Sequence, residues 1–313
     1  MSPTQNTALI LAIAVLALTP IIPSMSSTLR THTRASLYTS LGQEQILREH
    51  ETVRPDAPTV EALAALVFDP LSETTIFGKN ENQTIGIASL TKIMTAIVAL
   101  EQAGADELIF ISPDAIATEG IAGNLLPGDH LRLKDLIAMM MMESSNDAAA
   151  SIAEHIGTLR GASSFQESQN IFVSLMNEKA YEIGLMHTIF QNPTGLDINE
   201  DAGIVSNIST AYDVALLVTY AEQYPSLWEF SRKATYTVHS FEGNLYPLSS
   251  INALPQEIPG ITGGKTGFTD TTHGSLVSLA EIPLGHPVII VILGSSREGR
   301  FKDTILLADW LRN

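Results

Sequence analysis

The chain contains no cysteine. Disulfides, thiolate metal sites and a cysteine nucleophile are therefore excluded. Basic residues are scarce as well: 17 lysines and arginines stand against 34 aspartates and glutamates, a formal net charge of -17. No basic cluster offsets that balance, so nucleic acid is not expected as a partner. The eight histidines are scattered and no His-Glu-x-x-His occurs, which removes the zinc peptidases; no metal and no cofactor is expected. Nor is there an internal repeat. What the 313 residues do have is a large apolar share, 45%, enough for one large domain or two small ones with a substantial core.

The N-terminus carries its own signal. "ALILAIAVLAL", residues 8–18, is continuously apolar, and "TPIIPSM" extends it to about 18 residues, between a signal-peptide core and a minimal membrane span. No lysine or arginine precedes the run, whereas Arg30 and Arg34 follow it, and charge alone would keep the downstream part cytoplasmic. Pro20 and Pro23 break it as a buried helix, and Ser24-Met25-Ser26 offers a small-x-small cleavage site. Residues 1–27 are read as a signal or membrane-anchor segment, and the polar residues 28–59 as a linker.

From Ala62 the pattern changes. "ALAALVFDP" and "ETTIFGKN" are two apolar runs joined by an Asp69-Pro70 turn, a hairpin signal. Helical periodicity then dominates, in "IASLTKIMTAIVAL" (87–100), 131–143, 147–157, 169–185 and 209–224, the last opened by Ser209 or Thr210 as a cap. The four methionines at 139–142 read as core filler. After about residue 234 come strand-like runs, "ATYTVHSF", "GGKTGFT", "GSLVSLAEI" and "PVIIVILGSS", and "REGRFKDTILLADWLR" closes the chain as a helix. Strands from both ends with a helical block inserted between them predict an α+β fold with an antiparallel sheet.

One residue is out of place in this pattern. Lys92 sits within the apolar run 87–100, with nothing acidic near it in sequence. Ser89, three residues earlier, shares its helix face and stands at the positive end of the helix dipole. A free lysine, with a pKa near 10.4, is neutral about once in 2,500 molecules at pH 7; making it a usable base costs about 4 to 5 kcal/mol. Burial and a second cation both push that way, and a serine-lysine pair is a known nucleophile and general base. A lone Ser-x-x-Lys is expected by chance, with the lysine snorkelling to solvent. Its two companions carry the weight. Ser144-Ser145-Asn146 separates two apolar helices 55 residues on, although Ser-x-Asn also occurs at 168 and 250; Lys265-Thr266-Gly267, near the end, occurs once.

These three motifs, in this order, resemble those of the penicillin-binding proteins and class A β-lactamases. The surroundings, including "IASLTKIMTA", "ESSNDAAASIAEHIG", "MNEKAYEIGLMHTIFQNPTGLD", "STAYDVALL" and "ITGGKTGFTD", resemble the low-molecular-weight D-alanyl-D-alanine carboxypeptidases over about residues 60–313. Ser145 stands where many relatives have glycine and Tyr212 where some have arginine; neither touches the chemistry. The β-rich extension of many relatives is missing after the closing helix, which leaves the N-terminal segment as the candidate anchor. The resemblance implies a β-lactamase/transpeptidase-like fold over residues 60–313 and an exported enzyme acting on peptidoglycan stem peptides, with β-lactams as covalent inhibitors. It also implies the roles. Ser89 is the nucleophile and Lys92 its base; Ser144 and Asn146 pass the proton on and hold the substrate amide. Lys265 supplies the second cation and, with Thr266, binds the terminal carboxylate. Gly267 and its neighbours leave room along the strand edge. The backbone N–H groups of Ser89 and Phe268 form the oxyanion site, and either Arg297 or Arg300 adds a carboxylate contact.

Three other readings compete. Endopeptidase action on cross-links would use the same groups in a differently shaped cleft. A β-lactamase needs a carboxylate for deacylation; "EIGLM", from Glu182, echoes its Glu-x-x-Leu-Asn loop, but Met186 replaces the asparagine. A non-catalytic wall-binding protein would be expected to have lost Ser89, Lys92 or Lys265.

Overall fold

The computed structural model describes residues 57–118, 124–197 and 202–313. The expected signal segment and nearly all of the linker lie outside the described residues.

The sheet shows why the first strand reads as an unbroken apolar run. Strands β1 (Ala64–Asp69), β2 (Thr74–Lys79), β3 (Ile261–Thr269), β4 (His273–Glu281) and β5 (Pro287–Ser295) form one antiparallel sheet in the order β2-β1-β5-β4-β3. All six residues of β1 are buried. Leu66 and Phe68 face one apolar cluster, while Ala65 and Val67 face another. Both faces are covered, so the usual alternation is absent. At the β1–β2 turn, Asp69 Oδ1 accepts from Leu71 N at 2.8 Å and Ser72 N at 3.2 Å, an Asx turn.

The inserted block holds helices α1 (Thr91–Gln102), α2 (Leu133–Met142), α3 (Asn146–Leu159), α4 (Phe165–Glu182), α5 (Ala211–Ala221) and α6 (Pro225–Ser231). It packs on the Leu66 face of the sheet, and Met139 to Met142 are all in its core. The closing helix α7 (Gly299–Arg312) covers the other face through Leu307 and Trp310. Asp303 of α7 accepts from Glu61 N at 2.8 Å, Ala62 N at 2.9 Å and Ser295 Oγ at 3.0 Å, tying the two ends of the fold together.

Three details refine the sequence reading. The run 87–100 is a 3₁₀ turn, Ala88–Leu90, leading into α1, so Ser89 precedes the helix proper. Asn146 is the first residue of α3, and the cap is Ser145, whose side chain accepts from Ala148 N. Strand Thr235–His239 pairs with Leu245–Ser249 in a separate ribbon, and its half-exposed residues explain why it needs no place in the main sheet. At the head of α5, the cap is Thr210, accepting from Asp213 N.

Candidate active site

Helix α1 is buried on every side from Thr91 to Ala99. A helix apolar all round belongs in a core, and Lys92 goes in with it, with no exposed surface at all. Its Nζ lies 3.0 Å from Ser89 Oγ, and donates to Asn146 Oδ1 at 2.7 Å and to the Thr194 carbonyl at 2.5 Å. No carboxylate is among these partners. Burial accordingly lowers the Lys92 amine to about 7.

The serine sits on a strained turn. Ala88 has φ of +46°, the left-handed region that a residue with a Cβ normally avoids. Two glycines let other segments close on this turn. A Cβ on Gly195, itself at φ +85°, would come 2.1 Å from the Ala88 oxygen; one on Gly267 would come 3.0 Å from the Ile87 oxygen. Side chains at either position would push the turn away.

The break between α2 and α3 delivers Ser144, which is 3% exposed and has φ of +64°. Its Oγ accepts from Lys265 Nζ at 2.9 Å, and Lys265 also donates to the Thr266 carbonyl at 2.6 Å. Ser144 lines the same cleft as Ser89 and Asn146, the two side chains that Lys92 contacts. Lys265 is fully buried, and its amine is driven well below the ordinary lysine value by burial first, then by the charges of Lys92 and Arg300. The sequence reading assigned Lys265 the task of keeping Lys92 neutral. At Lys92, however, burial is the cause, and the repulsion is felt at Lys265. Two ammonium groups this close in a dry site resist being charged together, so the effect on the pair has the same direction.

Strand β3 is an edge strand, which decides where its free N–H groups point. Gly264 N donates to Ser231 Oγ on α6 at 3.2 Å, so its N–H faces away from β4. Strand alternation sends the N–H groups of Thr266 and Phe268 the same way, toward the open edge beside Ser89. A cleft of about 350 Å³ lies there, lined by Ser89, Ser144, Asn146, Thr266 and Phe268 among others. The two arginines left open by sequence separate by role. Arg297 stacks its guanidinium 3.7 Å from the Phe268 ring centre. Arg300 is 6% exposed, donates from Nη1 to the Gly267 carbonyl and is brought to about 10 by burial and by Arg297. Both line the cleft.

All eight motif residues named from sequence therefore meet around one cleft. The Thr194 carbonyl and Gly195 were not foreseen as site residues, although Asn192-Pro193-Thr194-Gly195 is a turn signal. Glu182, the candidate deacylating carboxylate, pairs with Lys179 at 2.6 Å on an exposed helix end and does not line the cleft. Among the described residues, no group of His, Asp and Glu is arranged to hold a metal ion.

A family model described as Peptidase_S11, D-alanyl-D-alanine carboxypeptidase, matches residues 51–297. The chain is similar to the D-alanyl-D-alanine endopeptidase of Pseudomonas aeruginosa, at 28% identity over 88% of this chain and 86% of that protein. It is also similar to the D-alanyl-D-alanine carboxypeptidase DacF of Bacillus subtilis, at 28% identity over 80% of this chain and 62% of that protein. In fold it is similar to the Streptomyces K15 DD-transpeptidase, with a TM-score of 0.73 at 24% identity over 82% of this chain and 98% of that one.

Proposed function

The chain belongs to the D-alanyl-D-alanine carboxypeptidase family of serine peptidases, and on that premise we propose that it removes the terminal D-alanine from peptidoglycan stem pentapeptides through an acyl-enzyme on Ser89. It is a serine-type DD-peptidase, a hydrolase. One observation carries the assignment of roles: Ser89 Oγ lies 3.0 Å from the amine of a lysine that is fully buried and has no carboxylate partner.

In the reaction we propose, Ser89 Oγ attacks the carbonyl carbon between the two D-alanines while its proton passes to the neutral Lys92 Nζ. The Ser89 and Phe268 N–H groups hold the oxyanion, in a dry site where such bonds count most. As the C–N bond breaks, the proton moves from Lys92 through Ser144 Oγ to the leaving amine, which departs as free D-alanine. Water then attacks the ester, and Ser89 recovers its proton. Lys265, Thr266 and the buried Arg300 attract the terminal carboxylate, and Asn146 holds the peptide amide. A β-lactam, whose carbonyl and carboxylate occupy the same places, acylates Ser89 and stays.

Intact-mass spectrometry after exposure to benzylpenicillin tests this. The wild-type protein gains the mass of one penicillin and Ser89→Ala gains none; a folded wild type without the adduct would sink the mechanism. Carboxypeptidase and endopeptidase relatives match this chain at the same identity. Cleavage of the D-alanyl bond in cross-linked muropeptides is therefore a second reading. Product analysis on pentapeptide and on cross-linked substrates separates the two.

We read residues 60–313 as the catalytic part and the apolar segment within residues 1–27 as the signal or anchor that carries it across the membrane. No helix among the described residues is long and apolar enough to cross a membrane. A peptidase of this kind acts outside the cytoplasm, where its substrate is.

A further inference from the structure

A neutral amine has two N–H donors and one lone pair. If Lys92 is the base, its lone pair must face Ser89, so its two N–H bonds must be spent elsewhere. The structure provides two acceptors for them, Asn146 Oδ1 and the Thr194 carbonyl. A backbone carbonyl cannot donate back. With both N–H groups so used, the remaining direction is that of Ser89 Oγ. The aim of the Thr194 carbonyl is therefore part of the base.

What fixes that carbonyl can be followed bond by bond. Asn192 Oδ1 accepts from Thr194 N at 3.1 Å and from Gly195 N at 2.7 Å, and so shapes the turn. Asn192 is itself pinned by Asn207, whose Nδ2 donates to the Asn192 carbonyl at 2.9 Å and whose Oδ1 accepts from Asn192 N at 3.2 Å and Gln191 N at 2.7 Å. The same Nδ2 donates to Thr91 Oγ1 at 2.8 Å, and Thr91 Oγ1 donates to the Ala88 carbonyl at 2.7 Å. The Asn207 carbonyl accepts from Ile87 N at 3.1 Å. One carboxamide, 2% exposed, thus holds both the strained turn of the nucleophile and the loop that orients the base.

We propose that Asn207 is a positioning residue for the acylation step, fixing Ser89 and the Lys92 amine relative to one another through Thr91 and Asn192. It touches neither substrate nor reacting atoms. The inference rests on the reading of Lys92 as the base. A purely structural Asn207 would lower the melting temperature and leave the rate of each folded molecule alone; a positioning residue changes the acylation rate constant without changing how well the substrate first binds.

Stopped-flow acylation of the full chain by a chromogenic cephalosporin measures the two quantities separately. Asn207→Ala should lower the acylation rate constant about tenfold or more, with the encounter dissociation constant within about threefold of wild type. Thr91→Val, which removes the bridging hydroxyl, should lower the rate by a smaller factor, and Thr91→Ser, which keeps it, should restore the rate to within about threefold. A folded Asn207→Ala with the wild-type rate constant overturns the proposal. Should that variant fail to fold, the Thr91 pair decides, and equal rates for Thr91→Val and Thr91→Ser overturn it. A wild type that the cephalosporin does not acylate overturns instead the peptidase reading itself.

Discussion

Replacing Lys92 with methionine should flatten the pH dependence of folding stability. In the unfolded chain the amine keeps its ordinary value of 10.5; in the fold, burial brings it to about 7. Between these values the unfolded chain holds a proton that the folded one has released. Stability therefore rises with pH across this window, and the full cost of the buried amine is felt below pH 7. That cost is about 5 kcal/mol, of which about 2 kcal/mol is recovered between pH 7 and pH 9. Methionine has similar bulk and no proton to lose. Removing the Lys92 charge also relieves Lys265, whose depression has the same sign, so both effects flatten the curve. The variant takes the Lys92 donor from Asn146 Oδ1 and from the Thr194 carbonyl, at about 1 to 3 kcal/mol each, but that penalty does not depend on pH. Urea unfolding of both proteins at pH 7, 8 and 9 isolates the slope. Wild type should gain about 2 kcal/mol more than Lys92→Met over this range. Parallel curves would mean that Lys92 titrates normally in the fold, and the case for a buried neutral base would fail.

Acylation by penicillin should show an acid limb with its midpoint near the folded Lys92 value of about 7, rising with pH as the amine loses its proton; a rate already flat from pH 5 to 8 would assign the base elsewhere. Gly195→Ala places a methyl 2.1 Å from the Ala88 oxygen at φ +85°, so acylation should fall by about 100-fold, measured against fold content by circular dichroism. Asp303→Ala strips the acceptors from Glu61 N, Ala62 N and Ser295 Oγ, and should cost about 2 to 4 kcal/mol in urea unfolding while each folded molecule acylates at the normal rate.

The sequence pointed to side chains more readily than to backbone groups. Ser89 and Lys92 could be proposed because a lysine in an apolar helix is an unusual side chain in an unusual place, whereas Ser144, Asn146 and Lys265 came with the resemblance that the three motifs carry. The Thr194 carbonyl could not, since every residue has one and only the folded turn shows which one aims at Lys92. Asn207 was hidden for a related reason: an asparagine in a loop is ordinary until its partners, Thr91 and Asn192, are seen to come from two segments. Helix positions followed apolar periodicity to within a few residues. The 3₁₀ turn at Ala88–Leu90 did not; Gly195 and Gly267, from far along the chain, close on it in the fold. The run at Thr235–His239 reads as a strand and is one, but composition does not name its neighbour, Leu245–Ser249.

The placement of β1 has a consequence for how the molecule comes into being. Ala64 pairs with Leu293, so the neighbour of β1 in the sheet, β5, comes from a part of the sequence more than 200 residues further on. Until β5 and α7 leave the ribosome, β1 has an unsatisfied edge and its Ala65–Val67 face lacks its cover. Contacts this distant in sequence form slowly, and partly covered sheets aggregate. The core built on β1 therefore closes only once β5 and α7 are available.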